Sequence, residues 1–264
     1  MEFETLTVKK ENGIATITLN RPDVRNALSD RMAEEIGIAF ESLTADNEVR
    51  AVVFCGAGKA FCAGGDIRGL KELAEEQTAL ETRDGVRNKT MKALKAITTL
   101  EKPVIAMVRG PAVGAGCNLA LICDLVIASE DAVFGEVFTR IGLASDWGGT
   151  YIVPRLVGMA RAKDLFFTGK MIDAKEAERI GLINRVVPGE ELEKTTYELA
   201  QQLAEGPTRA IGILKTQLNN GWGKDLTSVL EAEALAFGIL THSEDHKEGF
   251  EAFLEKRPPK FRGR

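Results

Sequence analysis

Two short glycine-rich turns constrain this chain more than any other feature of its sequence. Ala63-Gly64-Gly65-Asp66 and Gly114-Ala115-Gly116 each follow a run of β-forming residues and precede a helical pattern. The first N–H groups of a helix have no internal partners, and the helix dipole adds partial positive charge there. Two such turns facing one point would hold an oxygen that carries negative charge. We therefore expect strand-turn-helix units that bring two sets of backbone amides together.

Short apolar runs alternate with helical patterns through the first two thirds of the chain, which predicts a parallel or mixed sheet in an α/β fold. The pair Asn12-Gly13 favours a tight turn between the first two strands. After residue 190 only amphipathic helical patterns remain. Strands are predicted at 6–10, 14–19, 51–55, 104–108, 125–128 and 182–187, and helices at 27–40, 81–100, 116–123, 190–204, 208–219, 225–240 and 245–255.

Composition excludes several classes of function. The chain has 34 Lys+Arg against 39 Asp+Glu and no basic block, so we expect no nucleic-acid or membrane partner. No stretch reaches the roughly 18 apolar residues of a membrane span, and the first residues lack the pattern of a signal peptide. Four cysteines without the spacing of a zinc site favour reduced thiols in a cytoplasmic protein. We expect no metal and no redox cofactor.

Five segments resemble the crotonase superfamily, which contains the enoyl-CoA hydratases and isomerases, in their order and spacing. They are ITLNRPDVRNAL (17–28), GKAFCAGGDI (58–67), KPVIAMVRGPAVGAGCNLALICDLVIAS (102–129), FGEVFTRIGLASDWGGTYIVPRLVG (134–158) and EGFEAFLEKRPPKF (248–261). The resemblance implies a spiral of ββα units over residues 1–190, followed in the same domain by a helical trimerisation region over residues 191–264. It also implies a homotrimer or homohexamer and acyl-CoA thioester substrates, with coenzyme A as part of the substrate rather than a cofactor.

The resemblance also implies the roles of individual residues. The two oxyanion-hole donors fall on the backbone N–H groups of Gly65 and Ala115, whose small side chains suit close approach of a thioester oxygen. Positions that match the family's coenzyme A contacts are Arg25, Ala27, Ala63, Asp66, Ile67, Phe253 and Lys256. In relatives, the last two contacts often come from a neighbouring subunit.

The chain departs from the hydratases at both catalytic glutamates. The matching positions hold Asn118 and Phe138, which cannot exchange a proton with water. Asp146 instead matches the catalytic aspartate of dienoyl-CoA isomerases and of the phenylacetate-pathway ring isomerases that act on epoxyphenylacetyl-CoA. The resemblance therefore favours an acyl-CoA isomerase, which shifts a double bond or rearranges a ring through an enolate, with Asp146 as proton carrier.

Several alternatives stay open from the sequence. Asp146 could instead cap a helix at 150–156, and Glu136 is a second candidate acid in the same segment. Arg140 could pair with either carboxylate and lower its pKa. The chain could be a hydratase-type lyase of fatty-acid or aromatic-acid degradation that positions water with Asp146 or Glu136. It could also be a non-catalytic acyl-CoA-binding homologue.

Overall fold

The computed structural model describes residues 2–264, apart from the side chains of residues 70 and 72–74. These residues contain two β-sheets with helices packed against them, which confirms the predicted α/β class. The strands are β1 (Leu6–Glu11), β2 (Ile14–Leu19), β3 (Ala51–Gly56), β4 (Val104–Val108), β5 (Pro111–Val113), β6 (Leu125–Ser129), β7 (Val133–Gly135), β8 (Met171–Asp173) and β9 (Arg185–Val187).

The larger sheet has the order β1-β2-β3-β4-β6-β9. Strands β1 and β2 form an antiparallel hairpin, whose turn residues Asn12 and Gly13 have φ values of 52° and 79°. Every other pairing in this sheet is parallel. Strands β3 and β4 are almost wholly buried on both faces, as their continuous apolar sequences predict. A smaller sheet of order β5-β7-β8 lies beside it.

Helices cover the sheets and make up the C-terminal quarter of the chain. They are α1 (Asp30–Ser42), α2 (Ile67–Glu76), α3 (Ala79–Thr99), α4 (Ala115–Leu121), α5 (Gly149–Val157), α6 (Met159–Thr168), α7 (Ala174–Arg179), α8 (Leu192–Glu205), α9 (Thr208–Gly221), α10 (Leu226–Leu240) and α11 (Glu244–Glu255). Helix α1 begins at Asp30, where the Ser29 side chain caps it by accepting from the Met32 N–H. No helix within residues 2–264 has the length and apolar character needed to cross a membrane.

One face of the larger sheet packs against α1 and α3 through the main hydrophobic core. Phe54 of β3 lies between Phe40 of α1 and Phe61, with edge-to-face ring contacts at 5.4 Å and 5.6 Å. Phe61 is only two residues before the first glycine turn. The core therefore fixes the position of that turn relative to the sheet.

Candidate active site

The two glycine-rich turns lie side by side, as the sequence predicts. A bridge between Cys62 and Ala112 joins the segments that lead into them, and Val113 N–H donates to the Cys62 carbonyl at 3.0 Å. A Cβ added to Gly116 would lie 2.4 Å from that same carbonyl oxygen. Only glycine fits there, because the two chains are in direct contact. The second turn is thus held against the first by the backbone itself.

Gly65 and Ala115 both line one cavity. In the described residues, neither N–H donates to a backbone or side-chain acceptor. A buried amide without a partner is costly, so such groups are normally satisfied by water or by a ligand. The structure therefore provides two unused backbone donors on adjacent turns. That both point at one oxygen stays a prediction.

The cavity has a volume of about 950 Å³. Its lining combines apolar side chains with four cationic and four acidic ones. The apolar ones include Val86, Val137, Phe138, Ile141, Leu143, Trp147 and Met171; the cationic ones are Arg31, Arg68, Lys89 and Arg140, and the acidic ones are Asp30, Asp66, Glu76 and Asp146. A largely apolar cleft with a few polar groups suits an acyl chain whose orientation those groups fix.

Asp146 also lines this cavity, on a turn that the chain holds in an unusual conformation. Trp147 and Gly148 follow it with φ values of 49° and 77°, and the left-handed region is unfavourable for a bulky residue such as tryptophan. The buried Asn118 side chain holds the turn by donating to the Asp146 carbonyl at 2.8 Å and to Ser145 Oγ at 3.2 Å. Packing and hydrogen bonding thus direct Asp146 into the cavity.

The alternative role of Asp146 as a helix cap is wrong. Helix α5 begins at Gly149 after Gly148, and no side chain caps it. One carboxylate oxygen of Asp146 is buried and has no hydrogen-bond partner in residues 2–264. Burial raises the pKa of Asp146 to about 6, while a backbone hydrogen bond opposes the rise. A carboxyl with this pKa can both accept and return a proton near neutral pH.

Phe138, at the position that the resemblance matches to a hydratase glutamate, has an aromatic ring. The ring lies beside Gly114, since a Cβ added there would be 3.7 Å from the tip of the ring. Phe138 and Trp147 are both buried and both line the cavity. Within the described chain, Arg140 makes no ion pair with Asp146 or Glu136.

Glu136 does not line the cavity but lies buried behind it, with 2% of its surface exposed. Neither of its carboxylate oxygens has a partner of good hydrogen-bond geometry among the described residues. Burial raises the pKa of Glu136 to about 8; the Cys117 thiol opposes the rise, and the charge of Asp146 adds to it. Glu136 is therefore a second acid that is mostly neutral at pH 7.

The predicted coenzyme A contacts separate into two groups. Ala63, Asp66 and Ile67 line the cavity, and Arg25 lies next to them because its carbonyl accepts from Ala63 N–H at 3.0 Å. The carbonyl of Ala27 accepts from the Arg21 side chain at 2.7 Å. Phe253 and Lys256, at the end of α11, are not among the residues that line the cavity, and Phe253 is 81% exposed.

Sequence reasoning missed how Asn118 and Trp147 act. Asn118 was considered only as a missing glutamate, although its buried amide anchors the turn that carries Asp146. The strained φ of Trp147 has no signal in the sequence except the glycine that follows it. Both features depend on contacts between α4 and a turn about 28 residues later. Local patterns do not report such contacts.

Comparison with known proteins agrees with this geometry. The family model described as "Enoyl-CoA hydratase/isomerase" matches residues 9–264. A short-chain-enoyl-CoA hydratase of Clostridium acetobutylicum is 40% identical over 258 residues, which cover 97% of each chain. A 1,2-epoxyphenylacetyl-CoA isomerase of Escherichia coli is 36% identical over 264 residues, which cover 100% of each chain. The crystal structure of an enoyl-CoA hydratase from Mycobacterium smegmatis superposes with a TM-score of 0.91 at 34% identity, covering 98% of this chain and 99% of that one.

Proposed function

Because the chain belongs to the enoyl-CoA hydratase/isomerase family, we propose that it is an acyl-CoA isomerase. It shifts a double bond, or rearranges a ring, in an enoyl-, dienoyl- or epoxyphenylacetyl-type thioester. The observation that carries the proposal is the Asp146 carboxyl, which lines the same cavity as the Gly65 and Ala115 amides and has a buried oxygen without a partner.

For a double-bond shift, the reaction needs two operations. The ionised Asp146 removes a proton from a carbon conjugated with the thioester, and the electron pair moves to the thioester oxygen as an enolate. The amides of Gly65 and Ala115 donate to that oxygen, and loss of one such donor typically costs about 2.7–4 kcal/mol in the transition state. The protonated Asp146 then returns the proton at another carbon. No atom is gained or lost overall.

The same residues make hydration unfavourable. A hydratase must hold a water molecule, remove a proton from it and protonate the α-carbon of the substrate. Asn118 uses its amide N–H groups to hold the Asp146 turn, and the Phe138 ring is apolar. Neither side chain can serve as an acid or a base near neutral pH. The isomerase therefore needs only the groups that are present.

The test follows purified protein with a panel of enoyl-, dienoyl- and epoxyphenylacetyl-CoA thioesters in deuterated water. Isomerisation gives a product of different retention time without adding water, and chromatography with mass spectrometry detects it. Deuterium enters at carbon only to the extent that the Asp146 carboxyl exchanges its proton with solvent before returning it. Asp146→Asn is expected to lower kcat by at least about a hundredfold. Asp164→Asn is the matched control, because Asp164 is exposed and pairs with Lys170. Failure of the whole panel to react, or unchanged turnover in the Asp146 variant, would contradict the proposal.

Hydratase activity is the second candidate, since relatives with high identity carry that name. Its catalytic groups would be Asp146 or Glu136 acting through water. The same assay separates the two activities, because hydration yields a 3-hydroxyacyl-CoA that is heavier by one water. If the wild-type protein forms this product faster than any isomer, the proposed function is a lyase and not an isomerase.

We also propose that the protein assembles as a homotrimer or homohexamer, and that Phe253 and Lys256 contact coenzyme A bound in a neighbouring subunit. Support comes from α10, where large apolar side chains are exposed; Phe237 is 72% and Leu226 is 72% exposed. Isolated chains rarely expose such a set. Sedimentation analysis of the wild type and of Phe237→Glu tests the assembly, and a monomeric wild type would contradict it.

A cytoplasmic location is part of the same proposal. All four cysteines are buried free thiols, which is typical of proteins that fold in a reducing compartment. Fractionation of cells that produce the protein, followed by immunoblotting, tests the location.

A further inference from the structure

Glu136 is a buried acid for which the proposed reaction has no use. It follows β7 directly, and both of its carboxylate oxygens lack partners in the described chain. An ionised carboxylate buried in this way is strongly destabilised, whereas the protonated acid is tolerated. The ionisable groups that act on it are Cys117, from α4, and Asp146, from the turn before α5. Against β7, strand β8 presents the uncharged Met171 thioether, which lies beside Gly135.

The backbone places Glu136 directly behind the second glycine turn. The carbonyl of the preceding residue, Gly135, accepts from the Gly114 N–H at 2.7 Å. Gly114 is followed by Ala115, whose amide lines the cavity. Cys117, the neighbour of Glu136, lies on the first turn of α4, two residues after Ala115. Glu136 is therefore close to the enolate-binding amide on the side away from the substrate.

Unpartnered acceptors are concentrated around this point. Four of the five buried side-chain atoms without partners in the described residues are oxygens of Asn118, Glu136 and Asp146. None of them can satisfy another unless one carboxyl carries a proton. Two carboxyls that interact in this way lose their protons in separate steps, and the second negative charge is the more costly.

We propose that Glu136, behind the Gly114 turn, is a positioning residue that must stay protonated for the enolate to form on the cavity side of that turn. Its ionisation places a second negative charge near the ionised Asp146 before proton transfer and near the enolate after it, and turnover stops. This inference rests on the proposed isomerase function. The active state has Asp146 ionised and Glu136 neutral. Turnover is therefore confined to the pH range between the pKa values of these two carboxyls.

The first experiment is the dependence of kcat/KM on pH, with the substrate identified by the panel assay. In the wild type, kcat/KM rises as Asp146 ionises and falls about tenfold per pH unit once Glu136 ionises, near the pKa of about 8. Glu136→Gln keeps the shape of the side chain but cannot ionise. The alkaline fall is expected to disappear in this variant, measured relative to its own activity at neutral pH.

A second variant moves the alkaline fall in the opposite direction. Cys117→Ser replaces a weak donor with a hydroxyl that stabilises the ionised carboxylate, so the fall shifts to lower pH. The matched control is Glu130→Gln, because Glu130 is exposed and pairs with Lys175. Its profile is expected to match the wild type. A merely structural role for Glu136 predicts no change of profile in either the Gln or the Ser variant.

Three results would overturn the inference. One is an alkaline fall that persists at the wild-type pH in Glu136→Gln. If that variant does not fold, Cys117→Ser decides instead: an alkaline decrease of kcat/KM at the same pH as in the wild type would overturn the inference. If no thioester reacts at all, the proposed isomerase fails, and carbon-13 NMR titration of the glutamate carboxyls decides separately. A Glu136 carboxyl that titrates at or below its ordinary value of 4.5 would overturn the neutral-acid role.

Discussion

Replacing Asp146 by asparagine should stabilise the protein while removing its activity. Burial raises the pKa of this carboxyl from its ordinary value of 3.8 to about 6. The folded chain therefore holds the proton more tightly than the unfolded chain does. Stability from this difference is fully present below about pH 4 and is lost as pH rises through about 6. At pH 7 the folded protein bears the full cost of the buried charge.

The magnitude follows from the two pKa values. Their difference corresponds to about 3 kcal/mol, at about 1.36 kcal/mol per pKa unit. This is an upper bound for Asp146→Asn, because the amide has its own unpaired groups in the same pocket. We expect the free energy of unfolding of the variant to exceed that of the wild type by about 1–3 kcal/mol at pH 7. At pH 4 we expect no difference between the two. The wild type is less stable at pH 7 because it buries a carboxylate that the proposed reaction requires.

Urea unfolding at both pH values measures the effect, at a single protein concentration so that assembly contributes equally. The wild type, Asp146→Asn and the exposed-site control Asp164→Asn are compared, and isomerase turnover is recorded on the same samples. The buried-charge reasoning predicts that the difference in free energy of unfolding between Asp146→Asn and the wild type is larger at pH 7 than at pH 4. An equal difference at both pH values would refute it. So would an equal pH-dependent gain in the Asp164 control.

Three further perturbations test other parts of the structure. Gly116→Ala should abolish turnover and lower the thermal midpoint, because its Cβ would lie 2.4 Å from a backbone oxygen; Gly85→Ala, with no atom within 4 Å, should leave both unchanged or add up to about 1 kcal/mol of stability. The double variant Asn118→Glu with Phe138→Glu should form 3-hydroxy product from crotonyl-CoA in chromatographic analysis, and an equal rate in the wild type would show that it was already a hydratase. Lys215→Met should cost up to about 3–5 kcal/mol in urea unfolding, because the partly buried Asp124 carboxylate and two carbonyls lose their donor, while kcat of the folded fraction stays unchanged.

The main strands could be predicted from local patterns, since burial on both faces leaves a continuous apolar run. Strand β4 has the predicted bounds, and β3 and β6 end one residue later than predicted. The short strands β5, β7 and β8 and the helices α2, α6 and α7 were not predicted, and α5 entered only as the helix at 150–156 that Asp146 could cap. Strands of three residues have too little periodicity to detect, and α5 contains a proline inside the helix.

The sequence alone determined the paired glycine turns and the identities of Asn118, Phe138 and Asp146, on which the resemblance to the isomerases depends, because residue identity and turn preference are local properties. Tertiary structure decided the state of the acids. Asp146 lines the cavity on a turn that Asn118 holds, and burial by α4 and β7 raises the pKa of Glu136 although the neighbouring Cys117 thiol opposes the rise. A pKa depends on desolvation and on charges brought together from distant parts of the chain, and folding alone sets those distances.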